Sequence, residues 1–120
     1  MAAHGDLMVK TERLAGTRDF EAVFTNGKSW ANNMVVLRAL PNSLGSSRCG
    51  FAVGKRLGGA VVRNRVRRRL REVVRQVPID GGWDMVLIAR QPATETDYHT
   101  LSKATEEILA RAKFLGSGER

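Results

Sequence analysis

Lys55-Arg56-Leu57-Gly58-Gly59-Ala60-Val61-Val62-Arg63-Asn64-Arg65-Val66-Arg67-Arg68-Arg69-Leu70-Arg71-Glu72-Val73-Val74-Arg75 holds nine basic residues against the single acid Glu72. Its net charge of +8 equals that of the whole 120-residue chain, because the other residues carry eleven basic and eleven acidic groups and cancel. Gly58-Gly59 breaks the chain ahead of a helix from about Ala60 to Val77, which Pro78 and Gly81-Gly82 end. At about 100° per residue, Val62, Val66, Leu70, Val73, Val74 and Val77 share an arc of about 120°. That stripe needs a sheet to pack on. Arg67, Asn64, Arg71, Arg75 and Arg68 fill the opposite arc, Arg63 and Arg69 flank the stripe, and Arg65 lies between Arg68 and Arg69. Charge runs of mixed sign are ordinarily solvated helix faces. Here the sign is uniform, and like charges at i,i+3 and i,i+4 cost a few tenths of a kcal/mol per pair, a cost that folding alone does not explain. The helix has seven arginines and no lysine, which favours forked contacts with oxyanions. A polyphosphate partner follows, nucleic acid first.

Outward from this helix the elements alternate. Thr17 is placed to cap a short helix with Asp19 and Glu21 in its first turn and Asn26-Gly27 as its stop; Phe20, Val23 and Phe24 share a face. Trp30 to Leu40 is rich in β-formers, Pro41 and Asn42 to Ser47 form a turn, and Arg48 to Lys55 continues as a strand, so the pair is expected as an antiparallel hairpin. Trp83 to Arg90 is a strand whose run Met85 to Ala89 suits burial on both faces. From about Asp97, Leu101, Ala104, Ile108, Ala112 and Leu115 recur at helical spacing. The order helix, strand, strand, helix, strand, helix predicts a two-layer α+β sandwich, its mainly antiparallel sheet packed with three helices.

At 120 residues with 42% hydrophobic content, the chain suits one domain. Residues 13–115 are expected to form it, with flexible tails at 1–12 and 116–120. Cys49 is the single cysteine, which rules out an intramolecular disulfide and favours a reducing compartment. His4 and His99 are too few and too far apart to suggest a metal site. Met1 to Lys10 has no signal-peptide core, and no apolar run approaches the ~20 residues of a membrane span. A cytoplasmic protein is expected.

The basic stretch from Lys55 to Glu72, with Arg63-Asn64-Arg65 entered through a Gly-rich turn, closely resembles the signature of the bacterial ribonuclease P protein family. Arg13-Leu14, Asp19-Phe20, Val23-Phe24, Gly27 and Ala31-Asn32 resemble that family's N-terminal part, and Ile88-Ala89-Arg90-Gln91-Pro92 its last strand. The resemblance covers roughly Arg13 to Pro92. It implies a ribosomal protein domain 2-like fold with a left-handed crossover between the strand ending near Lys55 and that starting near Trp83. It also implies the protein subunit of a ribonucleoprotein that hydrolytically removes the 5′ leader of precursor tRNA, where RNA with Mg²⁺, held mainly by RNA and substrate, is the catalyst. The chain accordingly offers no Ser/His/Asp or Cys/His set and no paired histidine ligands.

By the same resemblance Arg63, Asn64, Arg65, Arg67, Arg68 and Arg71 hold the catalytic RNA. A cleft between the sheet and the first helix receives the single-stranded leader through Phe20, Phe24, Val36 and Arg38, with charge from Lys55, Arg56 and Arg90. Without the resemblance, Phe20 and Phe24 read as core in preference to stacking residues; with it, the two readings stand level. The protein is expected to be monomeric when free, one copy per RNA, with no membrane partner. Gln91 stands where many members carry lysine, Arg38 where an aromatic occurs, and Gly59 where asparagine is common. A ribosomal protein or another structured-RNA binder shares size, charge and fold, and a DNA-binding regulator could use such a helix, although no helix-turn-helix partner or zipper accompanies it.

Overall fold

The computed structural model describes residues 12–14 and 16–112. The expected tails, save Glu12, and Leu115 lie outside them. Five strands and three helices follow in the order β1 Glu12–Arg13, α1 Thr17–Asn26, β2 Lys28–Ala31, β3 Val35–Pro41, β4 Arg48–Ala52, α2 Ala60–Gln76, β5 Trp83–Ala89 and α3 Tyr98–Arg111. They build one sheet of order β1-β4-β5-β3-β2. The β2–β3 and β3–β5 ladders are antiparallel, with eleven registered residue pairs; β1–β4 and β4–β5 are parallel, with seven. The α+β architecture with three helices is thus as expected, on a mixed sheet.

One expectation is overturned. The segment from Arg48 does not form a hairpin with that from Trp30 to Leu40, because β5 lies between β3 and β4. The most apolar strand takes the centre, where both its edges and both its faces are covered. Residues 42–47 bridge the gap over the start of β5, where the Asn42 amide N–H donates to the Gly82 carbonyl (2.8 Å). The Ser47 hydroxyl donates to the Asp80 carbonyl. The hairpin that does form is β2–β3. It splits the expected Trp30–Leu40 strand because Asn32 Oδ1 accepts from the amides of Met34 and Val35 at 3.0 and 2.9 Å, a side-chain turn.

Two-residue alternation sorts the central strands. Leu37, Met85 and Leu87 face α2 and α3, packing with Val66, Leu70, Leu101, Ile108 and Leu109, all 0% exposed. Each such buried side chain contributes about 1.5–3 kcal/mol. Val86, Leu40 and Ile88 turn to the other face, where they pack with Leu14, Phe20 and Val23 of the α1 segment. Helix α3 starts where Asp97 accepts from the Thr100 amide (2.8 Å), a bond that holds its carboxyl below the usual range. The α1 cap is one residue earlier than expected: Gly16 precedes the helix, and Thr17 is its first residue. Strands β4 and β5 are parallel neighbours joined through α2, at the place where the resemblance implies its crossover.

Candidate nucleic-acid interface

The basic stretch divides into a short 3-10 turn, Lys55–Leu57, and helix α2. Lys55 therefore belongs to this turn and not to β4, which ends at Ala52. Gly58 between them has φ +151°, a conformation that side-chain-bearing residues rarely adopt, and a Cβ there would crowd Val62. Its carbonyl accepts from Arg63 Nε at 3.1 Å, which turns that guanidinium back over the helix entry.

Along α2, Val66, Leu70, Val73 and Val74 are buried as the helical wheel requires. The arginines fall into two sets. Arg65 Nη2 donates to the Thr94 carbonyl at 3.3 Å and Arg69 Nη1 to the Thr96 carbonyl at 2.9 Å, so both lean across the entry to α3. Arg65 Nε is buried without a hydrogen-bond partner. The other set faces outward: Arg68 and Arg71 are exposed, and Arg67 donates to Asn64 Oδ1 at 3.0 Å. Among the described residues, the one ion pair made by an α2 arginine is Arg75 with Glu72 (3.7 Å). Apart from that pair, the face is an array of cations without ion-pair partners among the described residues.

A second surface lies on the opposite side of the sheet. Val36, Ile88, Lys55, Arg56 and Arg90 line one recess of about 800 Å³. Val36 and Ile88 are register partners on β3 and β5 and form its apolar floor. Arg90 is fixed by donation to the Asn32 carbonyl at 2.8 Å. Ile88 also belongs to the cluster that holds Phe20, which connects this recess to α1. The rings of Phe20 and Phe24 stack with centroids 6.4 Å apart, and Phe24 is 41% exposed. Phe20 lies directly over Gly50, where any Cβ would overlap its ring.

The expected leader residues are therefore only partly brought together. Val36, Lys55, Arg56 and Arg90 share the recess; Phe20 and Phe24 stand beside it. Arg38 instead donates from Nη2 to the carbonyls of Phe24 (2.6 Å) and Gly27 (3.0 Å), a cation satisfying the end of α1. Ile88, Leu57 and Pro92 line the recess without having been anticipated. Ile88 was open to inference from alternation with Val86, whereas Leu57 and Pro92, although inside the motif stretches, carried no periodicity that would place them in the recess.

Helix α1 is pinned to the sheet by Arg48, whose Nε and Nη2 grip the two oxygens of Asp84 at 2.8 and 2.6 Å while Nη1 reaches Asp19 at 3.5 Å. Hydrogen bonds from Arg48, opposed by burial and aided by Asn42, hold the Asp84 carboxyl below its ordinary value; the same bond raises Arg48. Among the described residues, no three His, Cys, Asp or Glu side chains converge into a metal site. Burial pushes the Cys49 thiol up to about 12, leaving it inert as a nucleophile. No helix among the described residues is long and apolar enough to cross a membrane. The described residues thus present a row of guanidinium groups on one side of the sheet and an apolar floor edged by basic side chains on the other.

Comparison with known proteins agrees in sequence and in fold. The family model described as ribonuclease P matches residues 8–113. The ribonuclease P protein component of Roseiflexus castenholzii is 47% identical over 108 residues, 88% of each chain, and that of Streptococcus mutans is 42% identical over 112 residues, 92% of this chain and 94% of the relative. Among solved structures, the Staphylococcus aureus RNase P protein superposes with a TM-score of 0.81 at 33% identity, covering 89% of this chain and all of that one. The Thermotoga maritima protein gives 0.77 at 34%, covering 83% and 96%. A ribosomal protein is not favoured by these matches.

Proposed function

From the premise that the chain belongs to the ribonuclease P protein family, and so is the protein subunit of a ribonucleoprotein endoribonuclease, we propose how its two surfaces divide the work. Helix α2 holds the catalytic RNA through Arg63, Asn64, Arg65, Arg67, Arg68 and Arg71. The opposite face takes the 5′ leader of precursor tRNA: Val36 supplies an apolar floor, Phe24 and Phe20 offer ring surface to an unpaired base, and Lys55, Arg56 and Arg90 meet leader phosphates. Arg38 acts at one remove, fixing the end of α1 beneath Phe24. The protein works in the cytoplasm as one copy per RNA, monomeric when free.

The observation that carries this reading is the sorting of the charge. Seven arginines on α2 share one carboxylate neighbour, while a separate basic recess lies across the sheet, so two RNA strands can be gripped without competing. Catalytic RNA and precursor are both polyanions and repel; cations fixed between them lower the Mg²⁺ concentration needed to bring them together. Among the described residues no cluster of carboxylates forms a site for that ion, and Mg²⁺ is assigned to the RNA and substrate.

The test is 5′-leader cleavage at low Mg²⁺ by the protein alone, the RNA alone and both. Cleavage is expected only with both. An RNA whose cleavage is unaffected by added protein refutes the proposal.

A further inference from the structure

Beside the outward arginines, at the β1 edge of the sheet, lies a second recess of about 580 Å³ distinct from the leader recess. Phe51 and Val74 supply its apolar wall on the α2 side, Phe20 and Leu14 close it on the α1 side, and Arg13, Arg67, Arg71 and Arg75 form its cationic rim. Glu12 is the one acid in its lining, and Arg75 shares its charge with Glu72. Phe51 is only partly buried, so its ring is reachable from the recess. The guanidinium carbon of Arg71 stands 5.9 Å from that ring's centroid, with Arg71 itself exposed. A planar base sandwiched between two faces needs about 7 Å, twice the ~3.5 Å contact distance. A shift of about 1 Å by an exposed arginine opens that gap.

We propose that this recess binds one unpaired nucleotide of the catalytic RNA, its base stacked on Phe51 beneath the face of Arg71, whose edge N–H groups take one flanking phosphate while Arg67, Arg75 and Arg13 take its neighbours. The proposal rests on the assignment of α2 to the catalytic RNA, because three of the four rim cations come from that helix. It adds a feature that charge does not provide: an aromatic face that selects an unpaired residue over a helical one, whose bases are already stacked and whose edges side chains reach poorly.

Stacking and phosphate contacts differ in their response to salt, which separates them experimentally. Catalytic-RNA affinity is measured across a salt series for the wild-type protein and for Phe51→Leu, Phe51→Trp, Arg71→Gln and Arg68→Ala. Phe51→Leu, which keeps apolar packing but loses the ring, is expected to weaken binding by about 5- to 150-fold, the range of one base–aromatic stack, with an unchanged slope of log K against log salt. Phe51→Trp restores affinity. Arg71→Gln lowers the slope magnitude by about 0.7–0.9, one phosphate. Unchanged affinity for Phe51→Leu overturns the nucleotide site while leaving the α2 assignment intact; an unchanged slope for Arg68→Ala and Arg71→Gln overturns that assignment. If Phe51→Leu also loses thermal stability, a photo-cross-linker on Arg75→Cys decides, since the native thiol is buried. Cross-linking to an unpaired nucleotide of the catalytic RNA supports the site. Cross-linking to the leader or to a base-paired stem overturns it.

Discussion

Replacing Arg65 and Arg68 by alanine tests whether α2 works as a phosphate-binding face. Arg68 is exposed and has no hydrogen-bond or ion-pair partner among the described residues, so its charge is wholly available. Arg65 spends one N–H on Thr94 and has its Nε buried, which leaves its other terminal N–H groups for a phosphate. With about five phosphates neutralised on α2, log K falls with log salt at a slope of roughly −3.5 to −4.5. A fourfold rise in salt then weakens wild-type binding by roughly 130- to 500-fold. Removing two contacts brings the slope to roughly −2.1 to −2.7, and the same rise costs only about 20- to 40-fold. Filter binding or fluorescence anisotropy with labelled catalytic RNA between ~50 and ~200 mM salt resolves the difference. Thermal melting controls for folding: Arg68→Ala is expected to leave stability within about 0.5 kcal/mol, while Arg65→Ala loses about 1 kcal/mol with its carbonyl bond. A double variant with the wild-type slope refutes the phosphate-face reasoning, whatever its affinity.

Three further outcomes follow from the opposite face and its supports. Phe24→Ala, at an exposed ring, is expected to spare catalytic-RNA binding but to weaken capture of leader-bearing precursor by about 5- to 150-fold, measured against tRNA lacking a leader. Arg48→Ala strands the Asp84 carboxylate and is expected to cost about 3 kcal/mol near neutral pH. Because the folded value of Asp84 is depressed, the stability it contributes is present above its unfolded value of 3.8 and is lost as pH falls through the folded one; melting curves of wild type and variant should therefore converge below about pH 4. Gly50→Ala drives a methyl into the Phe20 ring and is expected to cost about 1–3 kcal/mol. In a double-mutant cycle, Phe20→Ala should cost less in that background than alone, and additive costs would place Phe20 elsewhere.

The sequence disclosed what depends on periodicity and charge. Val66, Leu70, Val73 and Val74 are buried as their spacing required, and Met85 to Ala89 occupies the centre of the sheet as its unbroken apolarity required. Strand pairing was less legible. A six-residue connection between two strands looks like a hairpin loop whether the strands touch or admit a third between them, and only the partner's register distinguishes the cases. Strand β1, two residues long and exposed, has no pattern to read. Side-chain partners across distant segments were hidden for a similar reason: that Arg38 serves the end of α1, and that Gly50 is a glycine to admit Phe20, depend on which segments the fold brings together.

The arginine helix also makes a claim on the free protein. Between Arg63 and Arg75 there are six like-charge pairs at i,i+3 or i,i+4 spacing, against three in which Glu72 faces an arginine. At about 0.2–0.5 kcal/mol per pair, the net cost is about 0.6–1.5 kcal/mol at low ionic strength. Raising chloride from ~0.01 to ~1 M shortens the Debye length from about 30 to about 3 Å and screens that repulsion. The free protein should therefore melt a few degrees higher at about 4 °C per kcal/mol, while its complex with the catalytic RNA weakens over the same range. Opposite responses of one surface to the same salt are what a face selected for a polyanion, at the expense of the isolated fold, must show. A free-protein melting temperature that is flat or falls with chloride would mean that the charges on α2 are already compensated within the chain.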